Sequence, residues 1–359
     1  MDIFETHALI GVVRDLFVPS QFLLDTFFPT ITTSDTEFVD IDVEIGRRRM
    51  APFCSPAVQG RIVEGRSIQT NSFRPAYIKD KRAPDLKRPI RRAIGERIGG
   101  GDMSPAQRRE ANIAYEMLDQ IRMIDRRLEW MAASAIQFGS VTVAGDGYPT
   151  TVVNFGRDPR LTVALTGGAA WGQTGAPLPS AYIDTWANTV LQLSGAAPDT
   201  IMFDTSAYQA FISDHHVIRD LVIPNALDAS RMRLAGDRVV TGAIFKGTWG
   251  AYALYVYNEF FIDPATDLEQ RMLPAGSVFL ASSEIAGTRS FSTIMDEDFD
   301  YVALPYAPKS WVIKDPSQRL LMMQSSPMVI PFRPNAGLFA NVGTAGGATT
   351  IIGNEGNYS

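Results

Sequence analysis

The sequence predicts an α+β fold built around one unusually long helix. An apolar stripe with helical spacing persists through residues 104–138, and segments with the two-residue alternation of β-strands lie on both sides of it. From residue 180 onwards strand and helix patterns alternate, which is typical of a mixed lobe with its own sheet. A proline-broken basic segment before the helix indicates a long extension without a core of its own.

Composition limits the class of protein. A chain of 359 residues, 45% of them hydrophobic, can bury a full core and is long enough for two domains. The single cysteine, Cys54, excludes an internal disulfide framework, and we interpret it as an inert thiol of a protein that folds in a reducing compartment. No signal-peptide pattern opens the chain and no apolar run approaches about 20 residues, so we expect no membrane segment.

Residues 1–45 predict an N-terminal arm followed by a first strand. The arm contains the aromatic-rich string PSQFLLDTFFP, which we expect to pack against another surface. In the string EFVDIDVEI, from Glu37 to Ile45, apolar and acidic residues alternate as in a half-exposed strand. We therefore expect one face of this strand to carry a row of carboxylates.

Residues 46–100 form a basic extension in this prediction. Between Arg47 and Arg97 the segment has fourteen basic and four acidic residues, a net charge of +10, whereas the rest of the chain has −16. Prolines and glycines interrupt it throughout, which favours a two-stranded excursion with irregular edges. Since the extension and the body have opposite charge, we expect copies of the chain to attract one another. The candidate contact residues between copies are Arg61, Arg66, Arg74, Lys79, Lys81, Arg82, Arg91 and Arg92.

The region 101–179 contains the long helix, residues 104–138, and a hairpin. Ser104, Pro105 and Gln107 form a capping box with the favoured proline at the first helical position. At about 1.5 Å per residue the helix is roughly 50 Å long. We interpret its charged face, which includes Asp125, as solvated or as a surface for other copies. The apolar stripe consists of Ile113, Met117, Ile121, Ile124, Leu128, Met131 and Ala135.

The remaining segments complete the predicted layout. The string VTVAGDGYPTTVVNF predicts the hairpin after the long helix, because two alternating runs flank a Gly-Asp-Gly turn. Residues 180–305 predict the mixed lobe, and residues 306–334 predict two returning strands around a turn at 314–316. Residues 335–359 are rich in glycine and lack lysine and arginine, so we expect a tail that is flexible or ordered by a neighbour.

Motifs for catalysis or metal binding are weak in this sequence. The adjacent His215 and His216 point about 100° apart on a helix and do not make a metal pair by themselves. The run Asp296–Asp300 lacks the spacing of a calcium loop, so we interpret it as a solvated acidic loop. The segment Gly242–Thr248 has the glycine spacing of a phosphate loop without its Lys-Ser/Thr pair. We therefore predict neither an enzyme nor a cofactor or metal site.

The order of the segments resembles that of the major capsid proteins of tailed bacteriophages, whose fold is named after Hong Kong phage 97. More specifically, the chain is similar to the lambda-type major capsid protein E family. The resemblance spans residues 15–335, and its specificity comes from the order of the matching strings. These strings are PSQFLLDTFFP, SPAVQGRIVEGRSIQTNSFRPAYIKDKRAPD, TIMFDTSAYQAF, FKGTWGAYALYVY and WVIKDPSQRLLMMQSSPMVI.

The resemblance implies a role for each segment. Residues 46–100 correspond to the extended E-loop that crosses a neighbouring subunit, and residues 104–138 to the spine helix of the peripheral domain. Residues 180–305 correspond to the axial domain, and the strands near 140–155 and 310–332 to the peripheral sheet. We expect Gly99, Gly100 and Gly101 to be a hinge during shell expansion, because they separate the extension from the helix.

The implied partners follow from the same resemblance. They are other copies in hexamers and pentamers, a cement or decoration protein, a separate scaffold protein, a portal, and packaged double-stranded DNA contacted without sequence specificity. The implied location is the virion capsid, with assembly in the host cytoplasm. Lys79, Lys81 and Lys87 with Asn335 and Asn341 supply residue types for cross-links, but no activating carboxylate is evident, so we favour noncovalent stabilisation.

Two other classes remain open from the sequence. An encapsulin-like compartment shell would share the fold and differ in its cargo. An enzyme or soluble binding module of unrelated fold would need a catalytic or ligand motif, which the sequence does not supply.

Overall fold

The structure is a computed structural model that describes residues 20–45, 50, 53–54, 56–57, 59, 67–83, 105–145, 147–222, 240–241, 243–315 and 318–343. Its contacts divide the chain into two compact units. Unit 1 comprises Met1–Ile41, Asn71–Ala132 and Thr288–Ile330. Unit 2 comprises Asp42–Thr70, Ala133–Gly287 and Pro331–Ser359.

The described residues contain both helices and strands in the mixed order that the sequence predicts. The helices are α1 (Phe22–Phe27), α2 (Pro105–Phe138), α3 (Pro179–Ser194), α4 (Thr205–Ile212) and α5 (His215–Asp220). The strands are β1 (Ser20–Gln21), β2 (Thr30–Thr33), β3 (Val39–Ile45), β4 (Ser67–Phe73), β5 (Ile78–Arg82), β6 (Ser140–Gly145), β7 (Tyr148–Asn154), β8 (Thr162–Ala164), β9 (Thr200–Phe203), β10 (Leu221–Val222), β11 (Val240–Thr241), β12 (Ala243–Trp249), β13 (Tyr252–Tyr257), β14 (Phe260–Ile262), β15 (Glu269–Arg271), β16 (Ser277–Ala281), β17 (Thr288–Phe291), β18 (Ala307–Ile313), β19 (Gln318–Ser325), β20 (Pro327–Ile330) and β21 (Gly337–Asn341).

Helix α2 has 34 residues and matches the predicted helix within one residue at its start. Its apolar stripe is buried over its whole length, with Ile121 fully buried and Ile113 still 7% exposed. Burial of one continuous apolar stripe stabilises the helix, because most helical stability in proteins comes from packing of an amphipathic face. The charged face differs from the expectation at Asp125, which is buried rather than solvated.

Unit 1 holds two three-stranded sheets. In the first, the order is β2-β17-β20, with β17 parallel to β2 and antiparallel to β20. In the second, the order is β18-β19-β5, so β5 of the basic extension lies at the edge among the described strands. Among the described residues of the extension, β4 pairs with β3 and β5 pairs with β19, and the two-stranded excursion stays a prediction.

Unit 2 is built on a seven-stranded sheet with the order β10-β12-β13-β9-β16-β21-β8. Its centre is apolar, and all five residues of β16 are buried. Helices α3 and α4 contribute to a core that contains Trp171, Phe203 and Phe211. Asp204 and Asp214 accept backbone N–H groups at the starts of α4 and α5, which explains why these helices begin where they do.

Two predictions, one about the segment after residue 335 and one about the hairpin, differ from the observed arrangement. The segment after residue 335 does not begin as a tail, because β21 inserts between β16 and β8 and is buried. Only glycine fits at its first residue, since a Cβ at Gly337 would lie 2.7 Å from the ring of Phe279. The hairpin β6–β7 forms a sheet of its own in unit 2, instead of joining β18 and β19 in one peripheral sheet.

Candidate functional site

Arg82 is the first of two anchors that hold the root of the basic extension, residues 74–82, in unit 1. Its Nη1 lies 2.6 Å from Asp119 Oδ2 and 3.3 Å from Glu116 Oε2 on helix α2, and its Nε lies 3.0 Å from Asp80 Oδ2. Gln120 adds a hydrogen bond of 3.0 Å to the carbonyl of Asp80. Partial burial lowers the pKa of Arg82, but the hydrogen bonds and charges of Asp119 and Asp80 raise it overall. Strand β5 is therefore bound to the helix as well as to β19.

A second network fixes the root at Tyr77. The Tyr77 hydroxyl donates to Gln324 Oε1 at 2.9 Å and accepts the backbone N–H of Met295 at 3.1 Å. Gln324 in turn donates to Asp296 Oδ2 at 2.8 Å, and Lys309 Nζ donates to Asp296 Oδ1 at 2.8 Å. Burial raises the pKa of Asp296, yet the hydrogen bonds from Lys309 and Gln324 lower it overall. The acidic run is thus partly a structural network rather than a wholly solvated loop.

The N-terminal arm is held in unit 1 by the buried carboxylate of Glu129. Its two oxygens accept the backbone N–H groups of Leu23 and Leu24 at 2.9 and 3.1 Å, at the start of α1. A carboxylate at this end of a helix satisfies N–H groups that have no intrahelical partner. Arg289 Nη2 also binds Asp25 Oδ1 at 2.8 Å. The arm is therefore fastened to α2 and β17 by polar contacts, in addition to its buried aromatic residues.

Asp125 lies in the same part of unit 1 and accepts a hydrogen bond from the hydroxyl of Tyr306. Burial raises the pKa of Asp125 to about 6, which the Tyr306 hydrogen bond and the charge of Arg289 only partly oppose. Burial, together with the neighbouring Asp125, also raises the pKa of Tyr306 well above its usual value. Asp125 is therefore a carboxyl group whose charged form is disfavoured by its surroundings.

In unit 2, Arg157 binds the carboxyl end of helix α2. Its guanidinium donates to the carbonyl of Ile136, to the carbonyl of Gln137 at 2.7 Å and to Thr162 Oγ1 at 2.6 Å. These carbonyls are the ones that a helix leaves without intrahelical partners. Burial lowers the pKa of Arg157 to about 10. Gly139, at φ +67°, packs so closely that a Cβ would lie 2.7 Å from Arg157 Cβ.

The structure locates four of the eight basic residues that the sequence singled out. Arg74 forms an ion pair with Glu37, and Arg82 lies in the carboxylate cluster described above. Lys79 and Lys81 are exposed on β5, with their ammonium groups 5.1 Å from the Tyr77 ring and 5.9 Å from the Trp311 ring. The predicted positions that lie outside the described residues are Arg61, Arg66, Arg91, Arg92 and the hinge glycines Gly99, Gly100 and Gly101.

The residues considered for chemistry are dispersed. His215 and His216 belong to the short helix α5, and Cys54 is exposed. Within the described residues, no group of three or more His, Cys, Asp or Glu side chains could hold a metal ion. In the same part of the chain, no helix has the length and apolar character needed to cross a membrane.

Sequence reasoning missed Glu129, Asp125 and Arg157. Glu129 and Asp125 flank the apolar stripe of α2 one position away from Leu128 and Ile124, which is the only signal that they border a buried face. Arg157 binds residues 20 and 21 positions earlier through a turn that no periodicity reveals.

Comparison with solved structures defines the class. A capsid protein of an Escherichia coli CFT073 prophage gives a TM-score of 0.74 at 19% identity, over 94% of this chain and 98% of that chain. A chain from the capsid of cyanophage A-1(L) gives 0.55 at 10% identity, over 92% and 95% of the two chains. The protein therefore has the Hong Kong 97-type fold of phage capsid proteins.

The family follows from the sequence comparisons. The family described as phage major capsid protein E matches residues 5–342. The major capsid proteins of Escherichia phages N15 and lambda are 26% and 25% identical over 341 residues, which cover 93% of this chain and 98% of each relative. The chain belongs to the phage major capsid protein E family, a structural rather than an enzymatic family of the virion capsid. The resemblance inferred from the sequence is thereby confirmed.

Proposed function

We propose that this protein assembles into hexamers and pentamers that close into the icosahedral head shell around double-stranded phage DNA. The observation that carries the proposal is the family match over residues 5–342, joined to a capsid fold that covers almost the whole chain. A shell of many copies needs large, distributed contacts, none of which is so strong that errors become permanent.

The basic extension is the proposed E-loop, which lies across a neighbouring subunit. Its root has a fixed position in unit 1, since the Arg82 cluster and the Tyr77 network both hold β5. A charged segment that leaves from such a fixed base reaches a defined part of the next copy. Arg61, Arg66, Arg91 and Arg92 remain proposed contact residues, and residues 99–101 remain the proposed hinge for shell expansion.

The remaining assignments belong to the same proposal. Residues 180–305 serve as the axial domain at the centres of capsomers, and the segments around the long helix as the peripheral domain. A separate scaffold protein and a portal take part in assembly in the host cytoplasm, and a cement protein stabilises the mature shell without covalent cross-links. Asn335 and Asn341 support the noncovalent option, because both already make hydrogen bonds within the chain.

Electron microscopy of the purified protein, expressed with and without its scaffold gene, tests the proposal. We expect closed shells or rings of five and six copies, with sedimentation showing particles far above the 39.4 kDa chain. A monodisperse monomer or dimer under both conditions would overturn it. Nuclease-protected double-stranded DNA inside particles from infected cells distinguishes a phage head from an enzyme-filled compartment.

A further inference from the structure

A loop that exposes both apolar and acidic side chains lies next to the root of the basic extension in unit 1. The 293–303 loop closes at a bridge between Thr293 and Ala303, and the N–H of Ile294 donates to the carbonyl of Val302 at 3.2 Å. Its outer side carries Met295, Tyr301 and Val302, which are 41%, 60% and 50% exposed. A rigid aromatic side chain presented in this way is typical of the energetic centre of a protein interface.

The loop is rigid because its inner side is anchored. Ile294 and Phe299 are buried in a small core with Ala307. Between them, Asp296 accepts the N–H of Asp298 at 3.1 Å and is bound by Lys309. The inner anchors therefore fix the direction in which the outer side chains project.

The loop also keeps an unfavourable backbone at its tip. Asp300 and Tyr301 have φ values of +50° and +58°, in the left-handed region that tyrosine rarely adopts. Such a conformation costs folding free energy and persists only where surrounding contacts impose it. Burial does not explain it, since Tyr301 is mostly solvent-exposed.

Charges of both signs border this apolar surface. Glu297 and Asp300 are exposed on the loop, and Lys79 and Lys81 are exposed on the edge strand β5. The two groups are neighbours on one surface, because Lys79 pairs in register with Gln324, which hydrogen-bonds to Asp296. A surface with adjacent acidic and basic parts is complementary to itself, so one contact can repeat around a symmetry axis.

We propose that the 293–303 loop of one copy docks on a second copy, on the part of the β18-β19-β5 sheet that carries Lys79, Lys81 and Trp311, with Tyr301 against Trp311 and the acidic residues facing Lys79 and Lys81. The inference rests on the proposed function and names one contact by which copies associate. The occupant is a second copy because the complementary charges and the exposed aromatic ring are present on the same described surface.

The variant Tyr301→Gly separates assembly from folding. Glycine accepts the left-handed backbone, so we expect the unfolding temperature of the unassembled subunit to stay the same or rise. The fraction of protein that sediments as shells or capsomers should fall at least tenfold. Asp267→Gly is the matched control, because Asp267 also has a positive φ, of +55°, but lies in unit 2; it should assemble like the wild type.

A charge exchange tests the partner surface. Glu297→Lys and Lys79→Glu should each reduce the assembled fraction severalfold, and the double variant should recover to within about threefold of the wild type, since opposite charges face each other again. Wild-type assembly by Tyr301→Gly, or a double variant no better than the single variants, would refute this contact alone. Failure of the unmodified protein to assemble would overturn both this contact and the proposed function.

Discussion

Arg82 and Arg157 both bind helix α2, Arg82 in its first half and Arg157 at its last turn. Their partners differ, since Arg82 binds charged carboxylates and Arg157 binds uncharged oxygens. Arg82 lies among three carboxylates, keeps 21% of its side chain exposed and has a raised pKa. Arg157 is bound by carbonyl and hydroxyl oxygens, and burial lowers its pKa to about 10. Salt screens the ion pairs of the first site, whereas the second site consists of hydrogen bonds to uncharged oxygens, which salt screens much less.

Replacing Arg157 with alanine tests the site with uncharged partners and should have the largest effect on stability. It leaves the carbonyls of Ile136 and Gln137 without their donor, so we expect a loss of about 3 kcal/mol in the free energy of unfolding. Urea unfolding of the unassembled subunit measures it. Arg160→Ala is the matched control, because Arg160 is an exposed arginine paired with Asp158, and its unfolding midpoint should not move. Equal urea-unfolding midpoints for Arg157→Ala and Arg160→Ala would show that Arg157 contributes no more stability than the exposed Arg160.

Asp125 extends the comparison to a buried anion. Its pKa of about 6 lies above the usual 3.8, so the folded state holds a proton that the unfolded chain releases. Stability from this group is therefore lost as pH rises from about 4 to about 6. Asp125→Asn cannot ionise at this position. Between pH 4 and pH 7, the free energy of unfolding of the variant should therefore rise relative to that of the wild type by on the order of 2–3 kcal/mol.

Urea unfolding at both pH values checks this, with the exposed Asp35→Asn as control. A constant difference between Asp125→Asn and the wild type at pH 4 and pH 7 would show that Asp125 is not the titrating group.

Arg82→Gln tests the site with carboxylate partners and should have the smallest effect on stability. Because solvent reaches the cluster, we expect a loss of about 1 kcal/mol at low salt. The loss should shrink in 1 M NaCl, where the Debye length is about 3 Å. Arg122→Gln, at an exposed position of the same helix, serves as control. If salt did not change the loss of unfolding free energy in Arg82→Gln, the Arg82 site would behave like the Arg157 site, and the contrast between the two sites would be wrong.

The elements with a local signal could be predicted from the sequence. The capping box and apolar stripe predict α2, and the Gly-Asp-Gly turn predicts the hairpin β6–β7. The order of segments also identified the family. The partners of β4 and β5 could not be predicted, because pairing with β3 and β19 depends on contacts distant in sequence.

The two misjudged positions have different physical causes. The composition of residues 335–359 suggested a tail, although the short string GLFAN is apolar enough for a buried strand. Asp125 was assigned to a solvated face because helical periodicity does not show that Tyr306 lies nearby. Polar groups that are satisfied by distant residues leave no periodic pattern, so the partners of Asp125 and Glu129 emerged only from the structure.

The position of β21 also sets the order of events during synthesis of the chain. Strand β8 has β21 as its neighbour, although translation reaches β21 only after every other strand of the seven-stranded sheet. Pairing between such distant segments is slow to form. The seven-stranded sheet is therefore completed only after residue 341 has been synthesised and has left the ribosome.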